Sequence, residues 1–345
     1  MRKLISEQGS VDKQYAIFAG KWRRYHGLGI FSHLIDIKTM LKNIRDAFLF
    51  GIGIIQSFFI LILWRPDVVF VKGGYVGLPV GLVAAFLRIP IVTHDSDSVP
   101  GLTNRILSRY AKLQAVGLPI DLYSKFYDKS KLRFTGVPVQ QQFYNIDEQT
   151  IIAAKKYFGF KTESKIVSIV GGSLGAVRLN ESVFSNLKKL LDNESINILW
   201  VTGAYQYEKL KVLVDKLGID HNRLKMFAFS SNMLQIIAAS DIVISRAGAT
   251  SIAELAAAAK PTILVPNPYL TGGHQTKNAQ SLFESQAVYL ITEHELSAKP
   301  EILRDQIFEL LADSDQCKRI SQNLSNLTVP DATDKIVSTI EEAIN

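Results

Sequence analysis

Short apolar runs rich in Val and Ile recur from residue 67 onward, each followed by a turn and then by a stretch of helical character. The runs are Asp67–Val71, Ile89–Thr93, Leu132–Thr135, Lys165–Val170, Asn197–Thr202, Leu224–Ala228, Asp241–Ile244, Thr262–Val265 and Ala287–Ile291. Runs of this length with β-branched centres read as fully buried strands. Buried strands that alternate with helices form parallel sheets covered on both faces, so the fold class is α/β. The alternation pauses once, where Gly136-Val137-Pro138 gives way to the polar segment Gln140–Thr150 before a second series opens at Lys165. A chain of 345 residues exceeds the usual size of a single core. The expectation is therefore two doubly wound, Rossmann-like domains facing a cleft, over residues 1–145 and 146–328. A last helix over 329–345, opened by Pro330 and Asp331, is expected to pack back on the first domain. Ligands of such folds bind in the crevice outside the strand C-termini.

Several turns at those positions carry chemistry. Ser245-Arg246-Ala247-Gly248-Ala249-Thr250-Ser251 joins a strand to a helix read as Thr250–Ala259, nearly all Ala and Leu, with Glu254 as its lone carboxylate. Such a turn aims backbone N–H groups at an anion, and a carboxylate one turn further in suits hydroxyls or a cation. Phosphates at the helix tip and a diol beside Glu254 describe a nucleotide; an ordinary connection is the alternative. Gly171-Gly172-Ser173-Leu174-Gly175-Ala176 has the position of a pyrophosphate cradle, with Ser173 as an added hydroxyl. It lacks the Gly-Lys-Ser/Thr of a Walker A loop and departs from GxGxxG, so no redox cofactor is expected.

The first half contributes two further turns. Lys72–Pro79 holds paired glycines and Tyr75, which can stack or hydrogen-bond at the cleft or simply pack. His94-Asp95-Ser96-Asp97-Ser98 contains a DxD, a pattern that can hold a divalent metal. No second ligand cluster accompanies it, so an acid–base or acceptor-binding role is expected instead, with helix capping by Asp97 or Ser98 as the plain alternative. In the second half, His274, Gln275 and Asn278 form a polar group at a helix start that can recognise sugar hydroxyls, although His274 alone would serve as a solvated cap. No catalytic Ser-His-Asp or Cys-His arrangement and no HExxH stands out, and neither cofactor nor metal is expected. The one cysteine, Cys317, rules out an internal disulfide and fits a reducing, cytosolic setting.

The net charge of +7 is unevenly spread, since residues 1–65 hold ten Lys/Arg against four Asp/Glu. Lys21, Arg23 and Arg24 stand among Trp22, Tyr25 and His26, a mixture that suits an anionic lipid surface as well as nucleic acid. The next segment of the chain favours lipid. Asp46–Trp64 is a mostly apolar run of nineteen residues flanked by Arg45 and Arg65. As a helix it would reach about 28 Å, close to the roughly 30 Å of a bilayer core. Asp46, Gly51, Gly53 and Gln56 interrupt it, and Pro66-Asp67 leads straight into a strand. A surface helix that dips into the membrane is the expectation, with a true span and a buried core helix as alternatives. The first dozen residues are polar and show no signal-peptide pattern.

Taken together, Lys72–Pro79, His94–Arg105, Gly136–Val139, Gly171–Asn180, Ser245–Glu254 and His274–Ala279 resemble, in order and spacing, the MurG family. These are transferases that move N-acetylglucosamine from UDP-N-acetylglucosamine to undecaprenyl-pyrophosphoryl-N-acetylmuramoyl-pentapeptide, lipid I. The likeness runs from about Trp64 to the C-terminus. It implies a two-domain GT-B fold, no metal, and a peripheral enzyme on the cytoplasmic face of the cell membrane. Carried over by position, Ser173 and the backbone of Gly248, Ala249, Thr250 and Ser251 would meet the pyrophosphate, with Arg246 nearby. Glu254 would take the ribose hydroxyls and the backbone at Ser230 would read uracil. His274, Gln275 and Asn278 would hold the sugar. Tyr75, His94, Asp97 and Gln140 would serve the acceptor side, with the prenyl tail in an anionic inner-membrane surface and no nucleic acid involved.

The departures bear on the chemistry. The family opens with a strand and a Gly-Gly-Thr-Gly-Gly-His loop whose histidine is a candidate base, and that loop is absent from this sequence. Met1–Phe18 would enter the fold near the third strand, so either the N-terminus is missing from the sequence or the protein departs from the family's chemistry. His94-Asp95-Ser96-Asp97 stands where the family has His-Glu-Gln-Asn, and Gln140 where an arginine is usual. Asp95 is then the expected base or acceptor-orienting group. A non-catalytic membrane-docked partner subunit of a split glycosyltransferase, or a UDP-sugar 2-epimerase of the same architecture, is the alternative.

Overall fold

In the computed structural model, which describes residues 11–20, 37–172, 175–270 and 273–345, ten strands gather into two sheets whose strand pairs are all parallel. The first unit opens with helix α1 (Ile37–Trp64) and continues β1 (Val69–Val71), α2 (Gly77–Phe86), β2 (Ile91–Asp95), α3 (Leu102–Leu107), β3 (Leu113–Val116) and β4 (Leu132–Phe134). Its strand order is β1-β2-β3-β4. The second unit runs α4 (Glu148–Tyr157), β5 (Lys165–Val170), α5 (Val177–Leu191), β6 (Ile196–Val201), α6 (Tyr207–Asp215), β7 (Leu224–Phe227), α7 (Met233–Ala239) and β8 (Ile242–Ser245). It continues with α8 (Ala249–Ala257), β9 (Thr262–Leu264), α9 (His274–Glu284), β10 (Tyr289–Leu290), α10 (Glu293–Ala298), α11 (Ile302–Ala312) and α12 (Ser314–Ser325), before a final helix α13 (Ala332–Ile344).

The second sheet has the order β10-β9-β8-β5-β6-β7. The chain leaves β5 toward β6 on one side and returns through β8 on the other, so the topological switch lies between β5 and β8. In open α/β sheets that is where ligands bind, and here the two loops that emerge there are the glycine turns after Val170 and Ser245. Beneath them Trp200 is fully buried in β6, its indole N–H donating to Asn180 Oδ1 at 3.0 Å, while Asn180 Nδ2 donates to the carbonyl of Thr202 at 2.8 Å. The polar heart of the domain is thereby satisfied.

Each of the nine apolar runs overlaps a strand, but the tenth strand, β3, is not legible as one in the sequence. Leu-Gln-Ala-Val has a single β-branched residue and a polar one, yet all four are buried between β2 and β4. Strand β2 also runs further than its apolar residues suggest. His94 and Asp95 are paired with Ala115 and Val116, so they close the strand instead of standing in the loop beyond it.

Helix α1 is two-faced. Asp46, Gly53, Ser57 and Leu61 are buried at a spacing of seven, four and four residues, whereas Ile44, Phe48, Ile55, Phe59 and Leu63 are exposed. Leu61, with Ile54 and Phe58, packs on α2, while Asp46 and Gly53 lie beneath the chain at residues 18–20, and the Ser57 hydroxyl folds back onto the carbonyl of Gly53 at 2.7 Å. Gly53 is required by a crossing chain: a Cβ there would lie 2.0 Å from the carbonyl oxygen of Phe18. Between Lys42 and Trp64 the helix is long and apolar enough to cross a membrane, by length and composition, with 17% of its most apolar window buried in the protein. The basic cluster at 21–26 lies outside the described residues. At the other end of the chain, α13 lies on the first sheet, where Ile340 and Ala343 pack with Val92 and Leu113 and Arg133 pairs with Glu342.

Candidate active site

Loops from the C-terminal edges of both sheets meet at Asn278, which bonds to Asp97, Ser98 and Ala247. On the second-domain side, β8 ends at Ser245 and the chain turns through Arg246 and Ala247 to Gly248, the N-cap of α8. Gly248 has extended backbone and no side chain caps the helix, so the first-turn N–H groups of Ala249, Thr250 and Ser251 carry the exposed positive end of the helix dipole. Glu254 lies further along the same helix. It is half-buried, no donor reaches its side chain among the described residues, and burial pushes its carboxyl above the ordinary range. A carboxylate in that state is stabilised by hydroxyl donors.

Arg246 does not point at the helix tip. Its guanidinium is buried, Nη1 donating to the Val265 carbonyl at 2.9 Å and Nη2 to Glu293 Oε1 at 2.5 Å. Arg178, on the helix after the other glycine turn, approaches the second oxygen of Glu293 at 3.8 Å and donates to Tyr269 Oη at 3.2 Å. Arg246 thus braces the turn from beneath through Glu293. Ser173 lies outside the described residues; around it Gly172 and Gly175 hold positive φ of 80° and 78°, and a Cβ on Gly175 would meet the Thr202 carbonyl at 2.8 Å. Ser230 sits in the loop after β7, its hydroxyl accepting the N–H of Asn232 at 3.1 Å.

The polar group on α9 flanks the same turn. His274 begins the helix, next to the left-handed Gly273. Gln275 Oε1 accepts the Asn267 N–H at 2.9 Å, and its Nε2 lies 3.7 Å from the position a Cβ on Gly248 would take. Asn278 reaches in two directions. Its Nδ2 donates to the Ala247 carbonyl at 3.2 Å and to Asp97 Oδ1 at 3.0 Å, and its Oδ1 accepts the Ser98 N–H at 3.1 Å. One amide therefore ties the β8–α8 turn to the first domain.

The first-domain residues are arranged differently from the sequence expectation. Asp95, expected as the base, is buried with both oxygens committed: Oδ2 accepts the Tyr127 hydroxyl at 2.6 Å and Oδ1 accepts the Gly101 N–H at 3.2 Å. Desolvation raises its carboxyl, opposed by these bonds and one from Asn104. His94 is likewise interior. Its Nε2 lies 3.0 Å from the Gly136 carbonyl, which assigns the proton to that nitrogen. Burial, set against that bond, lowers its pKa from 6.5 to about 4, so the ring is neutral. The carboxylate that faces the second domain is Asp97. Beside it the Ser98 hydroxyl has no hydrogen-bond partner among the described residues. Tyr75 stands exposed in the Gly73–Gly77 turn, which Thr103 holds through a 2.9 Å bond to the Gly74 carbonyl. Gln140 is exposed where the chain crosses to the second domain. Among the described residues no group of three or more His, Cys, Asp or Glu could hold a metal ion.

The comparisons with known proteins agree with one another. The glycosyltransferase family 28 N-terminal domain matches residues 23–116 and the C-terminal domain of the same family matches residues 166–336. A relative from Bacillus thuringiensis (strain Al Hakam) is 34% identical over 307 residues, covering 89% of this chain and 82% of its own. It is named UDP-N-acetylglucosamine–N-acetylmuramyl-(pentapeptide) pyrophosphoryl-undecaprenol N-acetylglucosamine transferase 2. The chain belongs to the MurG family. A relative from Thermoanaerobacter sp. (strain X514), whose name differs only in lacking the final 2, is 34% identical over 306 residues, covering 88% of this chain and 82% of its own. The crystal structure of MurG from Acinetobacter baumannii superposes with a TM-score of 0.67 at 25% identity, covering 99% of this chain and 88% of that one. The UDP complex of MnaA from S. aureus has a TM-score of 0.66 at 15% identity, covering 87% and 82%, and shares the fold. The chain accordingly has the GT-B architecture of two Rossmann-like domains and is a glycosyltransferase.

Sequence reasoning did not single out Tyr123, Tyr127, Glu293 or Arg178. The tyrosines sit beyond the unrecognised strand β3, and Glu293 comes after the last strand as one of several acids in an ordinary capping box between Thr292 and Glu295. Neither position carries a local signature; their roles come from partners far away in the chain.

Proposed function

We propose that this chain transfers N-acetylglucosamine, with inversion, from UDP-N-acetylglucosamine to the C4 hydroxyl of the muramoyl sugar of lipid I, forming lipid II. The observation that carries the reading is the pairing of an uncapped helix N-terminus at the sheet's switch point with the half-buried Glu254 on the same helix. The N–H groups of Ala249 to Ser251, with Ser173 and the Gly171–Gly175 turn, receive the pyrophosphate and stabilise the charge that gathers on departing UDP. Glu254 takes the ribose hydroxyls, the backbone at Ser230 reads uracil, and His274 and Gln275 hold the sugar. Tyr75, Gln140 and the Asp97–Ser98 edge seat the acceptor, where Asp97 takes the orienting place expected of Asp95.

The acceptor's prenyl chain requires a bilayer within reach. The exposed stripe of α1, extended by Phe86, which packs on Phe58, gives an apolar surface with Lys42 and Arg45 at one end and Arg65 at the other. Because the opposite face of α1 is occupied by α2 and by the chain at residues 15–20, the helix lies along the membrane interface and does not pass through it. This makes a peripheral enzyme on an anionic cytoplasmic membrane face, and gives the helix a purpose that a soluble 2-epimerase would lack. Transfer of labelled sugar from UDP-N-acetylglucosamine to a lipid I analogue tests the activity. Glu254→Gln should raise the KM for the donor by at least about tenfold, the loss of one charge-assisted hydrogen bond. Unchanged donor affinity would refute the placement of the nucleotide.

A further inference from the structure

The loop from Asp95 to Gly101 is fixed at more points than its own backbone requires. Tyr123 and Tyr127 lie beneath it with their rings parallel, 2° between planes and 6.4 Å between centroids, and both are buried. Their hydroxyls diverge to two levels of the loop. Tyr127 donates to Asp95 Oδ2 at 2.6 Å, and Tyr123 donates to the backbone carbonyl of Asp97 at 2.9 Å. Burial raises the pKa of both phenols, and the Asp95 charge raises them further, so they remain donors throughout the range in which the protein works. The loop's far end is held by the Gly101 N–H on Asp95 Oδ1. Between these anchors, Asp97 and Ser98 project to Asn278, and Asn278 continues to the carbonyl of Ala247, one residue before the N-cap of α8.

We propose that Tyr123 and Tyr127 are positioning residues for sugar transfer: the stacked pair sets the height of the Asp95–Gly101 loop so that Asp97, Ser98 and Asn278 form a strut holding the two domains at transfer distance. The proposal rests on the transferase reading above. Bond formation needs the acceptor oxygen about 3–3.5 Å from the anomeric carbon, and a displacement near 1 Å far from the chemistry can cost about 100-fold in rate. The two substrates are held by different domains, so the separation of the domains sets that distance. A donor site made by the second domain alone keeps its affinity when the strut loosens. Tyr127→Phe and Tyr123→Phe should therefore lower kcat roughly 10- to 100-fold with the KM for UDP-N-acetylglucosamine within about threefold.

The two variants are separated by pH. The groups facing Asp95 are Tyr127 and Tyr123 from the segment after β3, Asp97 from its own loop and Asn104 from α3; Arg105 of α3 acts on Tyr127. The Tyr127 phenol favours the charged carboxylate, so in Tyr127→Phe the acid limb of kcat moves to higher pH. In Tyr123→Phe, whose lost bond is to a backbone carbonyl, the limb stays in place. Domain separation is read without turnover by spin labels at the exposed positions Lys112→Cys and Lys209→Cys in a Cys317→Ser background. Tyr127→Phe and Asn278→Ala should broaden that distance distribution. Unchanged distances together with unchanged kcat in Tyr127→Phe overturn the proposal. If the unsubstituted protein transfers no sugar, the functional reading fails, and the label distances alone decide the strut.

Discussion

Glu293→Ala should destabilise the second domain by about 3 kcal/mol, although Glu293 lies outside every glycine turn. Its side chain is 6% exposed, and the Arg246 guanidinium that it meets at 2.5 Å is 11% exposed. Removing one member of such a pair leaves a charge buried without its counterion, which typically costs about 3–5 kcal/mol. The lower end applies because Arg246 keeps its bond to the Val265 carbonyl. Against a total stability on the order of 5–15 kcal/mol this is a large fraction. The double variant Arg246→Met with Glu293→Leu removes both charges at similar volume and should recover most of the loss, so the double-mutant cycle closed by the single variants Arg246→Met and Glu293→Leu should return a coupling energy above about 1.5 kcal/mol. Urea unfolding, monitored by far-UV circular dichroism, measures the unsubstituted protein and each variant. Because Arg246 lies two residues before the N-cap of α8, the single variant should also weaken UDP-N-acetylglucosamine binding, which calorimetry reads directly. A loss below about 1 kcal/mol for Glu293→Ala, with additive single effects, would refute the argument that the pair is a desolvated brace.

Acid should act through His94. The folded ring, lowered to about 4 from 6.5, refuses a proton that the unfolded chain accepts, so its contribution to stability is complete above pH 6.5 and is lost as pH falls toward 4. Between pH 7 and pH 5 that is roughly 2 kcal/mol, and His94→Gln should flatten this slope in urea titrations at the two values. At the membrane, Phe48→Glu combined with Phe59→Glu removes two exposed aromatics from the outer stripe of α1. At about 1.5 kcal/mol each, binding to phosphatidylglycerol vesicles should fall on the order of 100-fold in a sedimentation assay, and equal binding would exclude this face as the contact.

The two domains differ in how much the sequence discloses, and the difference is physical. On the second-domain side the groups we assign to the donor are largely backbone: Gly248 and the N–H groups after it, and the Gly171–Gly175 turn with its positive φ values. Backbone sites need glycine next to a strand end, and a glycine next to a strand end is visible locally. Glu254 is visible for a similar reason, being the one carboxylate in a helix of Ala and Leu. The parallel sheets are legible from their β-branched centres, but Leu113–Val116 escapes because its burial comes from neighbours on both sides and not from its own composition.

In the first domain, the proposed strut rests on side chains paired over distance, and there residue type misleads. Asp95 and His94 read as acceptor-side groups because they are polar and follow a strand, yet each is buried against a partner that sequence spacing does not reveal, 32 residues away at Tyr127 and 42 away at Gly136. The strut is longer still, 181 residues from Asp97 to Asn278. A polar group can be buried when its bonds are made, so a DxD at a strand end carries two opposite outcomes within three residues. Asp95 turns inward and holds the loop, and Asp97 turns outward and meets the other domain. The end of the strand explains the split. Side chains two residues apart on a continuing strand share a face, so a β2 that ran on through Asp97 would have turned both carboxylates the same way. Instead β2 closes at Asp95, and Asp97 stands in the loop beyond, free of that alternation. The register of Asp95 on Val116 is what distinguishes the positioning carboxylate from the one that faces the second domain.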